Sequence, residues 1–171
     1  MERLILVMVE IESIDGEVKE VECIGCALQN GELKRFGDII AETDNFEVQQ
    51  DIEIPIPGFL IIASKKHVKG IGDFSKEEYL EFAELLYKCR KALTDVLGIE
   101  YVNIIQEEES ILVASHFHVW IFPKYDWMGK YGMGVKSLRD IMDYARHTMK
   151  KDEDLENLKK VIQQLKEYMS R

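Results

Sequence analysis

Ser115-His116-Phe117-His118-Val119-Trp120-Ile121-Phe122-Pro123-Lys124 is the stretch from which the rest of the chain can be read. Side chains of a strand alternate faces, so His116, His118 and Trp120 share one side while Phe117, Val119 and Ile121 share the other. The second side is wholly apolar and fits a core. The first gathers two of the chain's four histidines beside a large aromatic ring. One histidine in such a place reads most simply as a half-buried polar residue. Two on one face, opposite an apolar face, favour a functional surface, and His-x-His spacing also suits metal chelation. Pro123 lacks a backbone N–H and marks the strand's end.

Working outward, Tyr101 to Gln106 reads as a second strand, and Asp73 to Leu97 as the clearest helix. Ser75 with Glu78 three residues later forms a capping box. Phe82, Leu85, Leu86, Cys89 and Leu93 recur at helical spacing, and Gly98 closes the helix. Phe59 to Ala63 is a short apolar strand, preceded by Ile54-Pro-Ile-Pro57-Gly58, an extended loop because its prolines exclude a regular element. Asp38 to Thr43 and Phe46 to Gln50 read as short strands joined near Asp44-Asn45. Arg3 to Glu12 and Glu17 to Glu22 flank a hairpin turn at Asp15-Gly16, and Cys23-Ile-Gly-Cys26 follows on a knuckle-like turn. Downstream, Leu138, Ile141, Met142 and Ala145 share one helical face, and Leu155, Leu158, Ile162 and Leu165 continue that character. The pattern is α+β. Its 171 residues suit one domain, with residues 1–130 as its body and 131–171 as a helical extension packed on it.

A net charge of −10 argues against an extended nucleic-acid surface, although one cleft can still be locally positive and take a small anion. No apolar run approaches the ~18 residues of a membrane span. Met1 to Glu12 carries acids within its apolar run, unlike a secretory leader, so the expected location is the cytoplasm. Three cysteines are an odd number, a poor basis for a disulfide framework; Cys23 and Cys26 at C-x-x-C spacing point to metal instead.

The strand is similar to that of histidine-triad proteins, which reads His-φ-His-φ-His-φ-φ, often followed by Pro-Arg. The resemblance extends through Asp44-Asn-Phe-Glu-Val48, Asp51, Gly58-Phe-Leu-Ile-Ile-Ala-Ser-Lys-Lys-His-Val68 and Phe74-Ser-Lys-Glu-Glu78. It covers roughly residues 20 to 128, and the ordered combination is more specific than any one piece. It implies an antiparallel sheet of about five strands with one long helix, here followed by the helical extension. The chain departs from the family pattern twice. Trp120 replaces the third histidine, and Glu107-Glu-Glu-Ser-Ile-Leu-Val-Ala114 stands where a Gly-Gln-Ser/Thr segment usually contacts phosphate.

By this resemblance His118 is the nucleophile, attacking the α-phosphorus of a nucleotide to form a nucleotidyl-histidine that water or another acceptor resolves. A backbone carbonyl bonding the other ring nitrogen would fix the tautomer. His116 and Trp120 complete the catalytic strand. Indole can hold a phosphate oxygen but cannot relay a proton, and the galactose-uridylyltransferase branch of the superfamily has Gln there. Asp51 matches the carboxylate that bonds ribose hydroxyls, or it is a turn residue before prolines. Lys124 stands where many members have Arg, or it is a solvated surface charge. Zinc-bearing members bind through positions held here by Cys23, Cys26, His67 and His116, a Cys₂His₂ set; otherwise these are a reduced surface cysteine pair and a helix-entry histidine. Cys89 reads as core and His147 as surface. The implied partners are a nucleotide-type small molecule and a second copy of the chain, paired through the long helix and an edge strand. The implied function is a nucleotide phosphate-bond hydrolase or nucleotidyltransferase acting on dinucleoside polyphosphates or nucleoside phosphoramidates. The alternatives are a catalytically weak, zinc-stabilised nucleotide-binding module and a protein-interaction role for the tail.

Overall fold

The computed structural model describes residues 7–108 and 115–171. Residues 1–6, which include 3–6 of the expected first strand, and 109–114 of the segment that replaces Gly-Gln-Ser/Thr, lie outside the described residues. The alternating stretch forms β7 (His118–Pro123), and what surrounds it explains its pattern. In chain order it follows β1 (Val9–Glu12), β2 (Val18–Val21), α1 (Ile24–Gln29), β3 (Ala41–Glu42), β4 (Phe46–Gln50), β5 (Leu60–Ser64), α2 (Lys76–Leu97) and β6 (Val102–Gln106). Two helices come after it, α3 (Leu138–Thr148) and α4 (Asp152–Met169). β1 and β2 form a separate antiparallel hairpin. The main sheet has five strands in the order β3-β4-β5-β7-β6, every neighbour antiparallel. The fold is α+β.

Register carries the alternation across the sheet. Ile62 faces Val48 and Val119, and Leu60 faces Ile121, so these side chains line one face. α2 and α4 cover it: Phe82, Leu85, Cys89 and Leu93 join Leu158, Val161, Ile162 and Leu165 against Phe46, Phe117 and Val119 in one buried cluster. α2 forms where its caps predict. Ser75 Oγ accepts from the Glu78 N–H, and Glu78 Oε2 accepts from the Ser75 N–H, a reciprocal cap worth about 1 kcal/mol. Gly98, at φ 66°, supplies the left-handed residue that ends the helix.

The opposite face carries Ala63, His118, Ile61 and Trp120. α3 covers one part of it, where Leu138, Ile141 and Ala145 pack on Phe59, Ile61, Ala63 and Phe122. The hairpin and α1 pack as a smaller cluster of Ile11, Val21, Ala27, Leu28, Leu33 and Ile52. The two tail helices therefore clasp opposite faces of the sheet. A single amphipathic pattern in the sequence does not reveal that division. Two expected elements differ in extent: the strand within Asp38 to Thr43 is reduced to Ala41–Glu42, and the cysteine knuckle continues as α1, with Cys23 as its N-cap.

Candidate active site and metal centre

The knuckle brings Cys23 and Cys26 together because the Cys26 N–H points at Cys23 Sγ, 3.4 Å away. The other two members of the cluster come from adjacent strand ends. The Phe117 N–H donates to the Val68 carbonyl at 2.7 Å and the Ser64 N–H to the Phe117 carbonyl at 3.2 Å, which lays the segment carrying His67 beside the one carrying His116. His67 Nδ1 lies 3.5 Å from Cys23 Sγ and 3.2 Å from Cys26 Sγ; His116 Nδ1 lies 3.4 and 3.6 Å from the same sulfurs. All four ligand atoms fall within 4.8 Å of one another. Tetrahedral bonds of about 2.3 Å to sulfur and about 2.0 Å to nitrogen separate S from N by about 3.6 Å, so these edges fit a zinc-sized ion. His116 Nε2 donates to the Ser64 carbonyl at 2.8 Å, which fixes the tautomer that leaves Nδ1 free for metal. Gly25 sits inside the knuckle, and a Cβ there would lie 2.6 Å from Cδ2 and Nδ1 of the His116 ring and closer still to Cγ; only glycine permits this approach.

His118 is oriented differently. Its Nδ1 donates to the carbonyl of His116 at 2.9 Å, so Nε2 keeps its lone pair. A cleft of about 270 Å³ opens over it, lined by His116, His118, Trp120, Ala63, Asp51 and Gln49, with apolar walls that include Ile11, Ile24, Leu28 and Ile61. Ala63 is the cross-strand partner of His118, and its small side chain leaves room there. Trp120 is half-buried, meeting Phe59 edge-on at 5.6 Å between ring centroids and His118 at 6.4 Å.

Asp51 follows β4 into the proline loop, where its Oδ1 accepts from the N–H groups of Glu53 at 2.9 Å and Ile54 at 2.7 Å. Burial pushes its carboxyl up to about 6 despite those bonds. Glu53, also on the cleft wall, is pushed up to about 7 by burial and by the neighbouring Asp51, against the pull of Arg146. Arg146 reaches in from α3, with Nη2 3.7 Å from Glu53.

The structure thus brings Cys23, Cys26, His67 and His116 into one cluster, and His116, His118, Trp120 and Asp51 around one cleft. It does not bring Lys124 there. That side chain lies beyond the end of β7, its ammonium 5.7 Å from the centre of the Phe122 ring. Cys89 is fully buried in the core and His147 lies exposed on α3. The sequence pattern does not single out Gln49, Glu53 or Arg146. A signal exists for the first, because Gln49 lies two residues from Asp51 on the same strand face.

No protein-family model matches the chain, and no curated protein matches it. Solved structures do. A hypothetical histidine triad nucleotide-binding protein from Sulfolobus tokodaii aligns over 87% of this chain and 95% of its own, at 20% identity and TM-score 0.62. A Hit-like protein involved in cell-cycle regulation from Bartonella henselae covers 85% and 94%, at 18% identity and TM-score 0.60. A zinc-bound histidine triad family protein from Mycobacterium smegmatis covers 84% and 94%, at 20% identity and TM-score 0.56. Sheet order, the long helix and the His-x-His strand agree with a single conclusion: this chain has the histidine-triad fold.

Proposed function

We propose that the chain is a histidine-triad enzyme that cleaves or transfers a nucleotide phosphate through His118, with zinc at the Cys23, Cys26, His67 and His116 cluster in a structural role. The observation that carries this reading is the hydrogen bond from His118 Nδ1 to the His116 carbonyl, 2.9 Å long. It leaves the Nε2 lone pair directed into the cleft as the nucleophile. Nε2 would attack the α-phosphorus, forming a P–N bond while the P–O or P–N bond to the leaving group breaks and its electrons depart with that group. Water would then attack the same phosphorus, losing a proton to solvent, while the P–N bond breaks and its electron pair returns to His118. Asp51 lines the same cleft and would bond the ribose hydroxyls. Zinc, when bound, holds its four ligands and supplies folding energy, not chemistry.

Trp120 favours a second reading, a nucleotide-binding module with little turnover, because indole cannot protonate a leaving group. Assays with dinucleoside polyphosphates and nucleoside phosphoramidates separate the two. The enzyme reading expects turnover that falls on the order of 10³-fold or more in His118→Ala with binding retained. Binding without turnover in the unaltered protein supports the module. Two copies would pair through α2 and the edge strand β6, a reading supported by exposed Leu80, Tyr87, Tyr101 and Ile104 at 57, 66, 70 and 50% accessibility. Light scattering at micromolar concentration should give a dimer mass, and a clean monomer would refute this.

A further inference from the structure

Gln49 stands out in the cleft. Its residue is only 3% exposed, it lines the cleft wall, and its Oε1 has no hydrogen-bond partner among the described residues. A buried amide oxygen without a donor is costly, and one that faces a cleft is placed to accept a hydrogen bond from a ligand there. The neighbouring polar amide, Gln50, points to the other face of the sheet; its Nε2 donates to the carbonyls of Ile54 and Ile56, and its Oε1 is also unpartnered among the described residues but faces away from the cleft. Gln49 is thus the one amide of β4 facing the cleft.

Its place relative to His118 can be read from the register. Gln49 pairs with Ile61, which pairs with Trp120; one row further on, Ala63 pairs with His118. Two ladder spacings and one two-residue step put the Gln49 and His118 Cα atoms roughly 12 Å apart, and both side chains rise from the same face. A nucleoside monophosphate bridges that span with its phosphorus at His118 and its base edge at Gln49. Asp51, two residues on from Gln49, lies on the same wall as Glu53 and Glu22. Above about pH 7, where Asp51 and Glu53 are ionised, this wall offers hydrogen-bond acceptors. A base carbonyl placed there would meet like partial charge, whereas an exocyclic amino group would meet acceptors.

Resting on the nucleotide reading above, we infer that Gln49 reads the base edge, its Oε1 accepting from an exocyclic amino group, so that the cleft selects adenine over hypoxanthine or cytosine over uracil. The amide alone could turn to serve either pattern. The acidic wall around it decides the direction.

The test uses nucleotide pairs in which the amino group is exchanged for a carbonyl and the adjacent ring nitrogen gains a proton: AMP against IMP, and CMP against UMP, with ribose 5-phosphate as the base-free probe, all by calorimetry on zinc-loaded protein at about pH 8. The unaltered protein should prefer the amino-bearing member of at least one pair by roughly tenfold or more. Gln49→Leu should bring that ratio close to one, leave ribose 5-phosphate binding unchanged, and melt no lower than the unaltered protein, because it removes an unpartnered polar atom. Gln49→Glu, which keeps the acceptor and loses the donor, should retain the preference. Equal binding within both pairs, or a preference that survives Gln49→Leu, overturns this inference and leaves the nucleotide reading standing. Binding of neither the nucleotides nor ribose 5-phosphate overturns both.

Discussion

Replacing Gly25 by alanine tests the metal centre through a side chain that coordinates nothing. The added Cβ would lie 2.6 Å from both Cδ2 and Nδ1 of His116. Cγ lies nearer still, and ordinary contact begins near 3.4 Å, so the ring must retreat by at least about 0.8 Å. Metal–ligand distances tolerate only about 0.2 Å. The same movement breaks the 2.8 Å bond from Nε2 to the Ser64 carbonyl, and loss of such outer partners costs about 10–100-fold in metal affinity. Displacing the ligand itself sets the upper figure as the expectation. A hundredfold weaker site removes up to about 2.7 kcal/mol of zinc-linked stability. Alanine inside α1 returns up to about 1 kcal/mol of helix propensity. At about 2–4 °C per kcal/mol for a chain of this size, Tm in zinc should fall by roughly 3–7 °C, and excess chelator should shrink the difference. Gly72→Ala, where nothing lies within 4 Å of the added Cβ, is the control and should leave zinc affinity unchanged. Chelator competition returning the unaltered zinc affinity for Gly25→Ala would refute the tetrahedral arrangement.

Two further outcomes follow from the cleft. Burial holds Asp51 near 6 and Glu53 near 7, above their ordinary values of 3.8 and 4.5. A carboxyl raised on folding binds its proton more tightly in the folded state, so it costs nothing at low pH. It destabilises increasingly as pH climbs from the unfolded to the folded value. Glu53→Gln should therefore raise Tm at pH 8 and leave it nearly unchanged at pH 4; an equal shift at both would show that Glu53 does not titrate in this range. Trp120→His restores a proton donor beside His118, and should raise turnover most for substrates with poor leaving groups; unchanged rates across leaving groups would mean that protonation does not limit the reaction.

Much of the fold was legible because its signals are local. The capping box at Ser75 and the left-handed Gly98 fix α2 without tertiary help, and strict alternation fixes the two faces of β7. The order of Cys23, Cys26, His67 and His116 was legible only as a spacing; their convergence depends on the non-local pairing of Ser64, Val68 and Phe117. The extension was legible as amphipathic helix but not as a clasp, since its two apolar stripes carry no mark of which sheet face each will meet. All residues of β4 are buried, including Glu47, Gln49 and Gln50. Glu47 is matched by an ion pair with Arg35, twelve residues away and invisible to any strand pattern. Lys124 illustrates the reverse, a position adjacent to the motif in sequence that the turn after β7 carries away from the cleft.

The central claim is that His118 Nε2 forms a covalent bond to phosphorus. Intact-mass analysis of a reaction quenched in cold denaturant at alkaline pH, where a histidine P–N bond survives, followed by peptide mapping at the same pH, measures it directly. With a dinucleoside polyphosphate or nucleoside phosphoramidate, the protein should gain the mass of one nucleotidyl group, carried on the peptide containing His118 and lost in His118→Ala. Turnover with no adduct at any time point, or an adduct that persists in His118→Ala, would contradict the account.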